Sequence, residues 1–530
     1  MNRASTLERL ETEREPWDVV VVGGGATGLG VAVDAAARGY RTVLLEQSDF
    51  AKGTSSRSTK LIHGGVRYLR QGNVSLVLEA LRERGILRRN APHLVHDVPF
   101  VVPSYDWWES PFYGIGLRLY DVLAGKEGFG ASRHLSRAET LEHLPTIETD
   151  GLRGGVLYYD GQFDDARLAM CLAATASDLG AAVLNYLPVV GLLKDGGILG
   201  GVVAHDAETG REWEVRARVV VNATGPWTDA LRALDDVAAA PLLRPSQGVH
   251  IVLPRRFHPG DAAIMVPHTD DGRVLFAIPW YDRVVVGTTD TPIAVAPLEP
   301  RPLAEELEFL LAHAARYLTE DPRAEDVLST FAGVRPLVGN AAEERSAAIS
   351  RDHTLLISES GLVTITGGKW TTYRKMAQDT VDHAAVLAGL PERPCPTADL
   401  PLHGSGAADG RRGPLSPYGA DAGAIEALAQ SEPGLAVALE PRLPYVGAEV
   451  VWAAREEMAR TVEDVLARRT RALLLDARAS IEAAPRVAEL LAAELGRDGR
   501  WRDQQVQAYR ELARGYVIEG TFRGRPLAAP

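Results

Sequence analysis

Between residues 18 and 46 the chain carries the pattern that most restricts its fold. An apolar run, Asp18-Val-Val-Val-Val22, flows into a glycine-rich turn, Gly23-Gly-Gly25-Ala26-Thr27-Gly28. Val31 to Gly39 is compatible with a helix, and a second apolar run from Arg41 ends on Glu46, eighteen residues beyond Gly28. Strand, Gly-x-Gly-x-x-Gly, helix, strand and carboxylate each have a physical task. Gly23 permits a tight turn, Gly25 lets backbone N–H groups approach a pyrophosphate, and Gly28 lets the helix lie close on the sheet. Glu46, with Gln47 beside it, can hold a ribose diol, and the helix N-terminus turns a partial positive charge toward phosphate. The pattern predicts a βαβ unit that binds an adenine dinucleotide.

At 530 residues, two to four domains are expected. A composition 46% hydrophobic and 24% charged is that of an ordinary globular chain. The net charge of −13 argues against nucleic-acid binding, which needs a basic footprint. Cys171 and Cys395 lie outside any Cys-x-x-Cys, so neither a metal cluster nor a disulfide framework is expected, in keeping with a reducing compartment. Cys171, inside an apolar helical pattern, reads as core packing. The segment Met1 to Pro16 is dense in Glu and Arg and lacks the apolar centre of a signal peptide. No apolar stretch reaches membrane-spanning length. The expected location is cytoplasmic, or on the surface of the inner face of the cytoplasmic membrane.

Further βα signals follow. Arg216 to Asn222 is a buried-type strand ending in the small turn Ala223-Thr224-Gly225, and Gly361 to Thr366 enters the turn Gly367-Gly368-Lys369 ahead of a helical stretch from Trp370. Residues 240–335 instead read as antiparallel strands. The predicted fold is α/β: a doubly wound Rossmann-type cofactor domain (17–95, 151–240 and 340–390) and an inserted antiparallel β-sheet substrate domain (96–150 and 241–339). A Pro/Gly-rich linker (391–417) and a helical C-terminal domain (418–530) follow. NAD and FAD both satisfy the first motif. The interrupted sheet and the late Gly-Gly turn favour FAD, and Glu46 disfavours the 2′-phosphate of NADP.

The stretch after Glu46 reads Gly53-Thr54-Ser55-Ser-Arg57-Ser58-Thr59-Lys60-Leu61-Ile-His63-Gly64-Gly65-Val-Arg67-Tyr68-Leu. Alone it offers hydroxyls for phosphate and glycines for close approach. It resembles the FAD-dependent glycerol-3-phosphate dehydrogenase family, and so do Ile278-Pro-Trp280, Gly287-Thr-Thr-Asp290, Gly333-Val-Arg335-Pro, Ser350-Arg351-Asp352 and Gly367-Gly-Lys369-Trp370. The likeness runs over roughly residues 17–520. It implies FAD as cofactor, sn-glycerol 3-phosphate as substrate and a membrane quinone as electron acceptor, with a homo-oligomer left open. It also implies a set of site residues. Arg67, Tyr68, Arg335 and Arg351 would bind substrate, since arginine grips a phosphate bidentately. His63 and His250 are the candidate proton acceptors, and Lys369 and Arg335 would join them in catalysis. The cofactor contacts would comprise Gly23, Gly25, Ala26, Thr27, Gly28, Glu46, Gln47, Thr54, Ser55, Ser58, Lys60 and Leu61. Gly64, Gly65, Ala223, Gly225, Gly368, Lys369 and Trp370 complete them.

Two rival chemistries fit the same fold: an oxidase passing electrons to dioxygen, and a flavin amine oxidase. A non-catalytic dinucleotide sensor would leave His63, Tyr68 and Lys369 without a purpose. The chain departs from the resembled pattern at Gln247-Gly-Val-His250, where Lys-Gly-Ser-His is common, so position 247 loses a basic group. Glu343 and Glu344 lie near enough in sequence to pair with Arg351. The aromatic stretch Trp107-Trp108 to Leu117 suits either a membrane interface or a buried wall. Arg82, Arg84, Arg88 and Arg89 read as a local basic face, and Arg374 as a helix cap or a counter-charge to the sheet.

Overall fold

The computed structural model describes residues 1–65, 73–106, 109–125, 128–266, 269, 273–339, 352–407 and 413–518. The Gly-x-Gly-x-x-Gly unit forms as its spacing requires: strand Trp17–Val22, helix Ala26–Ala37 and strand Thr42–Leu45. The parallel core of the first sheet runs Val363–Gly367, Glu212–Asn222, Trp17–Val22, Thr42–Leu45, Ala182–Leu184, with His353–Ile357 antiparallel at one edge. Val19 and Val21 face helices Ala26–Ala37, Asp165–Asp178 and Tyr373–Leu387, while Val20 and Val22 face the opposite way. That second face packs against the antiparallel strands Val189–Asp195 and Ile198–His205, which extend from the long strand Glu212–Asn222.

The second sheet is built on Leu243–Pro254, which pairs along ten residues with Ser329–Val338 and on its other edge with Arg283–Gly287. Leu275–Trp280, Ala263–Val266, Val95–Ser104 and Gly154–Phe163 continue it. Here the sheet differs from the boundaries expected from sequence. Gly154–Phe163 and Leu61–Ile62, assigned to the cofactor domain, are strands of this second sheet. Which sheet a segment joins is set by a pairing partner distant in sequence, and the local pattern does not reveal it.

Two other segments are more firmly held than their composition implies. Arg3–Thr12 is a helix whose Arg3 pairs with the buried Asp206 at 2.8 Å. In the supposed linker, Leu402 N donates to Asn90 O and Asn90 Nδ2 donates to Thr397 O, and Leu402 is itself buried.

Helices Gly447–Glu456, Ala477–Leu495 and Gly499–Arg514 make the C-terminal unit, whose apolar core reaches Val252, Trp280, Val285 and Phe331 of the second sheet. It grips the first sheet by charge. Arg468 Nε and Arg469 Nη1 donate to the fully buried Asp49, at 2.5 and 2.7 Å, and the two cations hold that carboxyl below the usual range against the cost of burial. Cys171 is buried in the core, where burial pushes its thiol up to about 12. Arg374 neither caps its helix nor serves the sheet. It makes a bidentate ion pair with Glu83, at 2.6 and 2.7 Å.

Candidate active site

Two clefts meet at the Gly367-Gly368-Lys369 turn. The first, about 400 Å³, runs from the glycine-rich turn to that turn, and Gly23, Gly25, Ala26, Thr27, Glu46 and Gln47 line one end. Thr54, Ser55, Ala223, Gly225, Gly368, Lys369 and Trp370 line the rest. Gly28 sits behind this wall. A Cβ there would stand 1.9 Å from Gly23 O, so only glycine lets the helix press onto the turn. The Glu46 carboxylate accepts from Gly24 N at 2.6 Å and Ser48 N at 2.9 Å, while burial pushes its pKa up. Ser55 Oγ accepts from Ala26 N, and Trp370 Nε1 donates to Ser55 O, which closes the cleft around the cofactor path. A narrow trough with a carboxylate at one end and a backbone turn at the other fits FAD, whose ribose and pyrophosphate those groups suit.

The second cleft, about 310 Å³, shares Thr54, Pro336, Gly367, Gly368, Lys369 and Trp370 with the first. His63, His250 and Arg335 line it, as do Ser58, Leu61 and Gly65. His250 and Arg335 are brought together by register, since Ser246 faces Arg335 and His250 faces Phe331 across one strand pair. The imidazole stacks on Phe331 at 4.7 Å and 11°, and Thr59 Oγ1 lies 3.0 Å from Nε2. On the other side a Cβ at Gly287 would meet His250 Cδ2 at 2.2 Å, so glycine there makes room for the ring. Burial, with the charges of Lys60 and Arg335 nearby, holds His250 well below the ordinary histidine pKa, and the ring is neutral. The Arg335 guanidinium is oriented by Asp290 Oδ1 at 3.1 Å, Thr288 Oγ1 at 3.2 Å and Thr289 O at 3.0 Å.

Several expected contacts are elsewhere. Ser58, Leu61 and Gly65 face the second cleft rather than the cofactor trough. Lys60 lines neither: fully buried, its Nζ donates to Asp165 Oδ2 at 2.7 Å and to Ser56 O at 3.0 Å, and burial lowers its pKa to about 8. Gly64 also lines neither and is packed against Leu81 and Tyr120. Arg67, Tyr68 and Arg351 lie outside the described residues, as do Trp107 and Trp108. Gln247 points away from the cleft, donating to Arg301 O and to the buried Glu306 at 2.8 Å, so the basic residue missing at 247 is not missing from the site. Thr59, Asp160 and Trp227 line these clefts without having been marked by the sequence. Thr59, inside the 53–69 stretch, and Trp227, next to the Ala223-Thr-Gly225 turn, had a local signal, and Asp160 had none.

The fold and its trough are those of a flavin-linked oxidoreductase. Residues 18–374 match the FAD dependent oxidoreductase family, and residues 363–505 match the C-terminal domain of alpha-glycerophosphate oxidase. The mitochondrial glycerol-3-phosphate dehydrogenase of Homo sapiens is 41% identical, over 97% of this chain and 75% of that protein. A mitochondrial glycerol-3-phosphate dehydrogenase of Arabidopsis thaliana is 42% identical, over 94% of this chain and 86% of that protein. The crystal structure of the Bacillus halodurans glycerol-3-phosphate dehydrogenase complexed with FAD superposes with a TM-score of 0.79 at 29% identity, covering all of both chains. The chain belongs to the FAD-dependent glycerol-3-phosphate dehydrogenase family.

Proposed function

We propose that this enzyme oxidises sn-glycerol 3-phosphate at C2 to dihydroxyacetone phosphate and passes the electrons on to a membrane quinone. The observation that carries the reading is a neutral imidazole and an oriented guanidinium on one cleft wall that continues into the FAD trough at Lys369. Bound FAD supplies the hydride acceptor. Arg335 holds the substrate phosphate, in concert with Arg67, Tyr68 and Arg351, and Asp290 keeps its fork aimed. His250 takes the C2 hydroxyl proton, with His63 the other acceptor on the same cleft. Lys369 stands where the two clefts join and offsets negative charge developing on the substrate oxygen.

Quinone use is supported by the helix Glu109–Ala124, on which Phe112, Ile115, Leu119 and Val122 are 50%, 73%, 50% and 75% exposed. Their spacing of three, four and three residues makes one apolar stripe, suited to lying in a lipid surface. Val74 and Leu78 on the neighbouring helix Val74–Asn90 are exposed too, and Arg82, Arg88 and Arg89 follow them on that helix. Arg84 is not part of this basic face, being buried against Asp160 at 2.6 Å. Among the described residues no helix is long and apolar enough to cross a membrane.

Dioxygen as acceptor is the second reading, favoured by the C-terminal match to alpha-glycerophosphate oxidase. The purified protein is expected to be yellow and to bleach anaerobically with glycerol 3-phosphate but not with D-alanine. A flavin that stays oxidised overturns the reading. Admitting air afterwards distinguishes the acceptors, because prompt recolouring with hydrogen peroxide belongs to the oxidase.

A further inference from the structure

The loop His63-Gly64-Gly65 reaches the substrate cleft, yet what fixes it comes from the surface helix Glu109–Ala124. Tyr120, on the side of that helix opposite the exposed stripe, is 1% exposed, and its Oη accepts the Gly64 N–H at 2.8 Å. The same hydroxyl donates to Asp160 Oδ2 at 2.9 Å. Asp160 in turn lines the substrate cleft and receives Arg84 Nη1 on its other oxygen at 2.6 Å. The fit is tight: a Cβ on Gly64 would stand 2.5 Å from Tyr120 Oη and 2.6 Å from Leu81 Cδ2. On its far side the loop is tied to the Lys369 turn, where Thr371 Oγ1 donates to His63 O at 3.4 Å. One hydroxyl, 56 residues from Gly64 in sequence, therefore completes the hydrogen bonding of both the loop and a cleft carboxylate.

We propose that Tyr120 is a positioning residue, which sets the His63–Gly65 loop and Asp160 against the flavin and substrate and links their geometry to the surface helix. The effect on turnover rests on the functional reading above. A phenyl ring keeps the packing among Leu76, Val77 and Leu81 but neither accepts the Gly64 N–H nor donates to Asp160. Small displacements of a positioned group near reacting atoms cost far more in rate than in stability.

The test compares holoenzyme, Tyr120→Phe and Leu117→Ala, the last removing buried packing from the same helix while leaving the hydroxyl. In Tyr120→Phe the Gly64 amide is expected to lose hydrogen-exchange protection and the visible circular dichroism of the flavin to change. Anaerobic flavin reduction should slow by about 10- to 100-fold with a smaller change in KM. Leu117→Ala should lower Tm, leave the Gly64 amide protected, and slow flavin reduction by less than Tyr120→Phe does, since the hydroxyl is kept. A Tyr120→Phe enzyme with unchanged flavin dichroism and reduction rate overturns the proposal. So does a wild-type Gly64 amide that exchanges as an open loop, a measurement that needs no variant to fold. If glycerol 3-phosphate fails to bleach the wild-type flavin, the functional reading falls alone, and exchange and dichroism still decide the role of Tyr120.

Discussion

Arg335 is a charged side chain held in place by its neighbours. Asp290, Thr288 and two backbone carbonyls fix the guanidinium, so the proposed phosphate contact would cost little side-chain entropy. Arg335→Ala should retain FAD and lose about 10²–10³-fold in kcat/KM, because charge-assisted hydrogen bonds to the substrate phosphate, about 1.5–3 kcal/mol each, are lost. Flavin absorbance and steady-state kinetics on the same preparation measure both. His250 gives a pH prediction. Its pKa is depressed by burial, so the imidazole stays unprotonated as pH falls through the ordinary histidine range near 6.5. The acid limb of kcat/KM that belongs to the proton acceptor should therefore lie clearly below pH 6.5, and a limb at 6.5 or above would transfer the role to another group. Gln247→Lys should leave kcat/KM within about twofold, since position 247 faces the Glu306 carboxylate and not the cleft.

At the scale of elements, legibility followed distance along the chain. The glycine turn, Glu46 and the Gly367-Gly368-Lys369 turn are local patterns with local causes, and Gly23, Gly25, Glu46 and the later turn line the trough while Gly28 sits behind it. The family resemblance implies Ser58 and Lys60 as cofactor contacts. Asp165, more than a hundred residues on, takes both of them instead. Nothing near position 60 announces that carboxylate. The strand Gly154–Phe163 carries no alternation of apolar and polar residues, and its sheet is decided by its pairing with Val95–Ser104. The buried pair Arg374–Glu83, which joins helix Tyr373–Leu387 to helix Val74–Asn90, was equally out of reach. Arg374→Ala leaves Glu83 buried and unopposed, and should destabilise the protein by about 3–5 kcal/mol in urea unfolding. On helix Glu109–Ala124, Ile115→Glu should abolish co-sedimentation with anionic vesicles while turnover with a soluble dye persists.

For the molecule as a whole, the C-terminal unit is joined to both sheets, to the second by apolar packing and to the first by charge. Arg468 and Arg469 reach Asp49, three residues after the trough-lining Glu46, and Lys52 of the trough pairs with Glu463 at 2.5 Å. Asp49→Asn removes the one carboxylate that both buried arginines share, leaving Glu463, Asp464 and Glu457 against them, and should lower both Tm and FAD retention, read by thermal melts with and without added FAD. A second latch is His403, whose imidazole bridges Asp178 at 2.6 Å and Asp421 at 3.0 Å. Those hydrogen bonds raise its pKa to about 9. The unfolded group titrates near 6.5, so the stabilisation is complete below that pH and disappears as pH rises through 9. Allowing for solvent screening at this half-buried site, about 1 kcal/mol is at stake. The wild type should lose more Tm than His403→Gln between pH 6.5 and 9.

Four large greasy side chains standing in water along a single helical ridge also dictate how the purified protein behaves. In free solution, ridges on different molecules will find one another, so the sedimentation coefficient should climb with concentration and fall back when a mild detergent coats them.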